Sequence, residues 1–202
     1  RQLADPDPDR IREGVLSLIR AEGLGLLRWP EAAVRLRQRL ATLHHADATG
    51  WPDVSDAALL ESIDGWLASA VVSGAIDAID LTSALRSLLD HEQQRRLDRM
   101  APEHYEVPTG SRIRIDYGDP AAPVLPVRLQ EMFGEQVTPQ IGNGTIPLTV
   151  HLLSPAGRPI QVTRDLAGFW RTSYFDVRKD MRGRYPKHDW PENPLDATPT
   201  RR

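Results

Sequence analysis

The sequence predicts an α+β fold: an N-terminal helical bundle, then a small β-barrel, then a C-terminal amphipathic helix. Three observations lead to this prediction. Apolar residues recur at helical spacing through most of residues 1–100. Between Arg112 and Tyr117 apolar and charged side chains alternate, which predicts a half-buried strand. Helical spacing returns after Asp165, so a sheet region is expected between two helical regions.

Capping and breaking residues mark the helices of the bundle, which we place in residues 1–100. Helices are expected to begin at four points, each with a capping or first-turn residue: Asp7-Pro8, Pro30, Ser55 and Asp80. Gly23 ends the first helix, and a last one is expected from His91 to Met100. The polar side chains of the second helix are expected to face solvent: Arg35, Gln38 and Arg39.

Residues 101–164 carry the signals of a barrel built from short strands. Asn143-Gly144 is typical of a tight hairpin turn, because both residues tolerate a positive φ. Further elements are expected on both sides of that turn: a short helix over 126–133 and strands over 148–153 and 159–163. Many short strands with abundant glycine and proline are typical of a small, partly open barrel.

Residues 165–190 are predicted to form an extension led by one amphipathic helix, which Asp165 caps and Gly183 ends. One side of this helix is apolar: Leu166, Phe169, Trp170, Val177 and Met181. The opposite side presents Arg171, Phe175, Arg178 and Arg182. The last segment, residues 191–202, is rich in proline and polar residues and is expected to be disordered.

Charge is distributed unevenly along the chain. Residues 158–188 carry eight Lys/Arg and three Asp/Glu, a local charge of +5, whereas the whole chain is −3. A nucleic-acid-binding surface needs cations along a phosphate track and an aromatic ring on which a base can stack. The alternative is a solvated outer face whose cations pair with Asp176 and Asp180. Arg112 and Arg114 could add to the binding surface, although an ordinary exposed strand is the simpler explanation for them.

Motif searches find no catalytic centre in these 202 residues. There is no cysteine, and His91-Glu92 lacks the second histidine of the H-E-x-x-H zinc motif. Neither a P-loop nor a G-x-S-x-G nucleophile motif occurs. We therefore expect no enzyme activity, cofactor or metal in this stretch. No apolar run is long enough for a membrane span and no signal pattern is present, so we expect a cytoplasmic protein without a membrane partner.

Several long strings together resemble one known family. They include WPDVSDAALL, LLDHEQQRRLDRMAPEHYEVPTGSRIRIDY, TPQIGNGTIPLTVHLLSPAGRPIQVTRDLAGFW and VRKDMRGRYPKHDWPENP. The chain resembles the C-terminal region of bacterial HrpB-type ATP-dependent helicases of the DEAH-box group. The resemblance implies an oligonucleotide-binding-like (OB-like) barrel after the helical bundle. It also implies a longer parent whose two RecA-like motor lobes use ATP and Mg²⁺, and the start on Arg1 agrees with a piece of a longer chain. No catalytic motif of the family maps onto these residues.

These observations predict a non-catalytic accessory region of an RNA helicase that binds single-stranded RNA or DNA with low sequence specificity. The predicted surface comprises Arg158, Arg164, Arg171, Phe175, Arg178, Lys179, Arg182, Arg184 and Lys187, with Arg112 and Arg114 as further candidates. The alternative is an interaction module whose basic face docks on the parent's RecA-like lobes or on a partner protein.

Overall fold

The computed structural model describes residues 7–202, so the first six residues of the predicted bundle lie outside the described part. The chain divides into two compact units, Arg1–Leu97 and Asp98–Arg202, close to the predicted boundary at residue 100. The first unit is helical. Its helices are α1 (Pro8–Glu22), α2 (Glu31–Ala46), α3 (Asp56–Glu61), α4 (Ile63–Trp66), α5 (Leu81–Arg86) and α6 (His91–Met100), the last of which contains the division.

The helices of the first unit begin where their capping residues predict. The carboxylates of Asp7 and Asp80 and the hydroxyl of Ser55 each accept a hydrogen bond from a first-turn amide. Gly23, at φ 87°, ends α1 in a conformation that disfavours residues with a Cβ. The side-chain and backbone hydrogen bonds from Ser83 hold the pKa of the Asp80 carboxyl below its usual value. These starts depend on contacts within three residues, and local sequence therefore predicts them well.

Arg39 of α2 is the first correction, because it is 2% exposed and not on the solvent side. It lies three residues after Leu36 and four before Leu43, which are both buried, so helical geometry places it on the packed face. Its polarity favoured an outward position, and the packing of neighbouring helices overrides that preference. The core around α2 is formed by large apolar side chains that are fully buried: Ile19, Leu40, Leu43, Leu59, Ile63, Trp66, Leu67, Leu81 and Leu85.

The second unit combines short strands with two helices. The strands are β1 (His104–Glu106), β2 (Arg112–Arg114), β3 (Val124–Arg128), β4 (Gln140–Ile141), β5 (Ile146–Pro147), β6 (Thr149–Leu153) and β7 (Pro159–Thr163), followed by α7 (Leu166–Arg171) and α8 (Tyr174–Arg184). β1 pairs with β2 and β4 with β5, both antiparallel. β6 lies between β3, which is parallel to it, and β7, which is antiparallel.

Within residues 7–202 these strands form three small sheets and no closed barrel, although one antiparallel bridge, Asp116 with Val124, connects the end of β2 to β3. The mixed α and β composition agrees with the prediction, whereas its OB-like barrel is not confirmed. Prolines at 102, 108, 120, 123, 126, 139 and 147 provide a physical reason, because each lacks the amide that a strand ladder needs. The predicted helix over 126–133 is also wrong: β3 continues to Arg128, and a single 3₁₀ turn follows over Leu129–Met132.

Two predicted turns of the second unit are present. Gly142, Asn143 and Gly144 all have positive φ between β4 and β5, as the Asn-Gly signal predicts. The strands expected over 148–153 and 159–163 are β6 and β7, joined at a turn in which Gly157 has φ 77°. Both turns are set by residues that tolerate the left-handed region.

The C-terminal strap, which we define as residues 185–202, is ordered and not disordered as predicted. The phenolic oxygen of Tyr174 donates to Pro191 O at 2.7 Å, and the amide of Gly134 donates to Pro194 O at 2.9 Å. Farther on, the amide of Thr200 donates to Gln130 O at 3.0 Å. Its composition resembles a flexible tail, but these long-range bonds to the body of the unit fix its path.

Tyr174 is the side chain that ties this strap to α8, and it is fully buried. We expect Tyr174→Phe to destabilise the protein by about 1 kcal/mol, the usual value of one buried hydrogen bond. Burial raises the pKa of Tyr174 to about 12, and the opposing effect of Arg178 is smaller. The unfolded chain therefore ionises first, so this tyrosine should reduce stability as the pH rises from about 10 to about 12.

Urea unfolding of both proteins, at neutral pH and at about pH 11, checks the expectation for Tyr174→Phe. The variant should lose less stability on the alkaline shift than the unmodified protein, because it has no phenol at this position to ionise. Equal alkaline losses would contradict the role assigned to Tyr174.

Candidate nucleic-acid interface

The predicted single basic helix is two helices, α7 and α8, separated at Thr172 and Ser173. Asp165 caps α7 as expected, because its Oδ1 accepts from the amide of Gly168 at 2.9 Å. Thr172 leaves helical geometry at φ −124°, ψ −82°, with its hydroxyl donating back to Gly168 O at 2.7 Å. Gly183 does not end the helix, which continues to Arg184. Arg171 therefore lies on a different helix from the cations that follow it.

An aromatic cluster holds α7 and α8 in place. The ring of Trp170 lies 5.0 Å from that of Phe169, 5.5 Å from that of Tyr174 and 6.0 Å from that of Phe133, measured between centroids. Its indole Nε1 donates to Glu135 O at 2.7 Å. The apolar side predicted for this region is accordingly buried at Leu166, Phe169, Trp170 and Met181, and half-buried at Val177. The orientation of α8 is thus set by large rings that contact one another.

One flank of α8 presents a basic–aromatic stripe, which we define as Phe175, Lys179 and Arg182. Residues four and seven apart lie on the same side of a helix, and all three are exposed, Phe175 by 51%. Asp176 and Asp180 lie four apart on another flank. Among the described residues neither aspartate forms an ion pair with a stripe cation, although Asp176 lies three residues before Lys179.

Arg178 and Arg164 have hydrogen-bond partners within the second unit, and Arg178 is half-buried whereas Arg164 is exposed. Arg178 donates from Nε to Trp190 O at 2.8 Å, and its Nη2 lies 3.8 Å from Glu192 Oε1. Arg164 donates from Nε to Thr149 Oγ1 at 2.9 Å and from Nη2 to Ala121 O at 3.0 Å. These guanidinium groups join the strap and a loop to the body of the second unit.

Arg112 and Arg114 share a strand face with an acidic neighbour. In the β1–β2 pair, Glu106 lies directly opposite Arg112, and His104 lies opposite Arg114. Arg112 also lines a shallow cleft with Asp98 and Glu103. The opposed carboxylate of Glu106 lowers the positive potential of this face, and binding of an anion by Arg112 and Arg114 stays a prediction.

The remaining predicted cations are exposed: Arg158 in the β6–β7 turn, Arg171 at the end of α7, Arg184 at the end of α8, and Lys187 in the strap. Their side chains have neither a hydrogen bond nor an ion pair with any other residue of the described range. Sequence reasoning did not select Arg128 and Arg201. Arg201 donates to Thr109 O in the turn between β1 and β2, and Arg128 lies beside Arg201 O. The contact between Arg128 and Arg201 was not predicted, because residues 191–202 were expected to be disordered.

The described part of the chain lacks two other features, a metal-binding cluster and a membrane-spanning helix. It contains no group of three or more His, Cys, Asp or Glu side chains arranged to hold a metal ion. None of its helices combines the length and the apolar character that crossing a membrane requires.

Comparison with known proteins identifies the family. Residues 63–194 match the family model HrpB_C, described as ATP-dependent helicase C-terminal. The chain belongs to the HrpB C-terminal family. This member is 45% identical to the ATP-dependent RNA helicase HrpB of Escherichia coli strain K12 over 205 residues, which are 99% of this chain and 25% of that helicase. The chain thus spans about a quarter of its relative's length.

Solved structures agree with the assignment to the HrpB C-terminal family. A crystal structure of the E. coli DExH-box NTPase HrpB superposes with a TM-score of 0.87 at 44% identity, covering 99% of this chain and 25% of that one. A crystal structure of the E. coli DEAH/RHA helicase HrpB superposes with a TM-score of 0.75 at 43% identity, covering 94% and 25%. The resemblance seen in the sequence strings is therefore confirmed over nearly the whole chain.

Proposed function

We propose that this chain is the non-catalytic C-terminal accessory region of an ATP-dependent RNA helicase and that it binds single-stranded nucleic acid with low sequence specificity. ATP and Mg²⁺ belong to the RecA-like motor lobes of the parent in this proposal, and this region retains the strand. The observation that carries the proposal is the basic–aromatic stripe of α8, whose cations have no carboxylate partner among the described residues.

The stripe has the two chemical groups that such binding needs. Lys179 and Arg182 can neutralise phosphates regardless of the base sequence. Phe175 offers a half-exposed ring against which any base can stack. The exposed cations Arg184 and Lys187 follow directly along the chain and can extend the phosphate track. A surface of this kind grips a strand without reading its sequence, as movement along any sequence requires.

Titration of a fluorescently labelled oligonucleotide of about 20 nucleotides at several salt concentrations tests this proposal. Each phosphate contact on a single strand adds about 0.7 to the slope of log affinity against log salt. Two to four contacts thus predict a slope between about −1.4 and −2.8. Oligouridine and oligothymidine should both bind, and mixed sequences should bind with similar affinity. Undetectable binding at about 25 mM salt, or a slope near zero, would overturn the proposal.

A second candidate function is an interaction module that docks on the motor lobes. Such docking would cover Val137 and Val162, two exposed apolar side chains of the second unit. This function predicts that the isolated chain does not bind oligonucleotides. It also predicts that the chain changes the rate of ATP hydrolysis when it is added to separately prepared motor lobes. The salt titration therefore discriminates between the two.

A further inference from the structure

Two arginine side chains from distant parts of the second unit lie near the end of the strap: Arg201 contacts the turn between β1 and β2, and Arg128 contacts the backbone of Arg201. Nη2 of Arg201, in the strap, donates to Thr109 O at 3.0 Å. The same atom lies 3.8 Å from the position that a Cβ on Gly110 would occupy, so the guanidinium covers this turn. Nη1 of Arg128, the last residue of β3, lies 3.5 Å from Arg201 O. Long-range folding therefore places the Arg128 guanidinium beside the backbone of Arg201, whose own guanidinium lies on the turn.

No carboxylate in the described range lies within ion-pair distance of either guanidinium, and both residues are exposed. Glu131, which is bonded to the same turn, is 7% exposed and accepts from Thr109 Oγ1 at 2.8 Å. Each guanidinium carries five N–H donors. One donor of Arg201 forms a hydrogen bond of normal length, to Thr109 O. Arg128 makes a single contact, to Arg201 O, at the outer limit of hydrogen-bond distance. Most of these donors therefore face solvent, where a phosphate can reach them.

Anchoring of the strap does not by itself explain the pair. The amide of Thr200 already fixes this end of the strap to Gln130 O at 3.0 Å. Arg201 adds one further bond, but Arg128 contributes little to the anchoring. An anion bound by either guanidinium would form charge-assisted hydrogen bonds with N–H donors that have no acceptor in the described range.

We infer that Arg128 and Arg201 form a second phosphate-binding locus that grips the same single strand as the α8 stripe. This inference rests on the proposed function. The strap connects the two loci, because Arg178 of α8 bonds to Trp190 O and the chain then runs to Arg201. Fully extended, those eleven residues reach at most about 40 Å. One long oligonucleotide can therefore contact both loci.

The test measures binding of labelled oligothymidine, about 20 nucleotides long, to the full chain carrying R128E and R201E. Loss of two phosphate contacts should weaken binding by about 20-fold or more near 0.1 M salt and should lower the salt slope by about 1.4. The matched control is R10E with R28E, which changes the net charge equally at exposed positions with no side-chain partner in the described range. This control should bind within about threefold of the unmodified chain.

The conservative variant with R128K and R201K separates charge from strap anchoring. It retains both positive charges and should recover most of the affinity, whereas a loss equal to that of the glutamate variant would overturn the inference. If R128E with R201E binds like the unmodified chain while stripe variants lose affinity, the second locus is refuted and the proposed function stands. If the unmodified chain itself does not bind, both fail.

Discussion

Trp170→Ala should destabilise the second unit by about 3–5 kcal/mol, the cost of removing a large aromatic side chain from a packed core. Trp170 is 1% exposed and contacts the rings of three other aromatic residues. Alanine would leave a cavity between α7 and α8 and would also leave Glu135 O without its indole donor. A typical domain is stable by about 5–15 kcal/mol, so this change removes a large part of the total.

Hydrogen–deuterium exchange in increasing urea measures this loss, because peptides from residues 98–202 report on their own unit. Trp170→Phe retains an aromatic ring but not the indole N–H, and it should destabilise the unit by about 1–2 kcal/mol. Val137→Ala, at an exposed position of the same unit, should have almost no effect. A loss below about 1 kcal/mol for Trp170→Ala would show that the aromatic cluster does not hold α7 and α8.

Local chemistry explains which parts of the fold are predictable from the sequence. The caps at Ser55, Asp80 and Asp165 and the turn at Asn143 each depend on residues within a few positions. Side chains that bond to their own neighbouring amides act the same way in any tertiary context. Helix starts and hairpin turns could therefore be placed from the sequence before the packing was known.

The parts that could not be predicted depend on partners far along the chain. Arg178 lies opposite the apolar side of the predicted helix, so the sequence predicts that it faces solvent. In the structure its Nε donates instead to Trp190 O in the strap. Arg164 is similar, because Ala121 O lies 43 positions away. Periodicity identifies the faces of a helix, but it contains no information about which loop covers one of them. Two of the eight predicted cations in residues 158–188 thus have partners that periodicity could not identify.

The break between α7 and α8 illustrates the same limit at shorter range. The helical spacing of apolar residues continues on both sides of Thr172 and Ser173, so the sequence predicted one helix with one continuous basic face. The structure keeps the apolar side, because both helices pack on the aromatic cluster, and separates Arg171 from the stripe. What remains of the predicted surface is smaller and is centred on α8.

K179E combined with R182E should weaken oligonucleotide binding by at least about 25-fold near 0.1 M salt. Each lost phosphate contact reduces affinity by about fivefold at that concentration, and reversed charges add repulsion. The salt slope should fall by about 1.4. Both side chains are exposed and have no partner within residues 7–202, so the variant should fold as stably as the unmodified chain. Salt-dependent titration of a labelled 20-mer together with thermal unfolding measures both quantities.

Phe175→Ala gives this prediction its sharpest control, because it removes a stacking ring without changing the charge. Stacking of a base on an aromatic ring contributes about 1–3 kcal/mol, so affinity should fall while the salt slope stays constant. The two variants together thus separate phosphate neutralisation from stacking on one flank of one helix. If K179E with R182E binds like the unmodified chain while that chain binds with a clear salt slope, the strand is held elsewhere. The stripe would then be an ordinary solvated flank of α8, as its aspartate-bearing side already is.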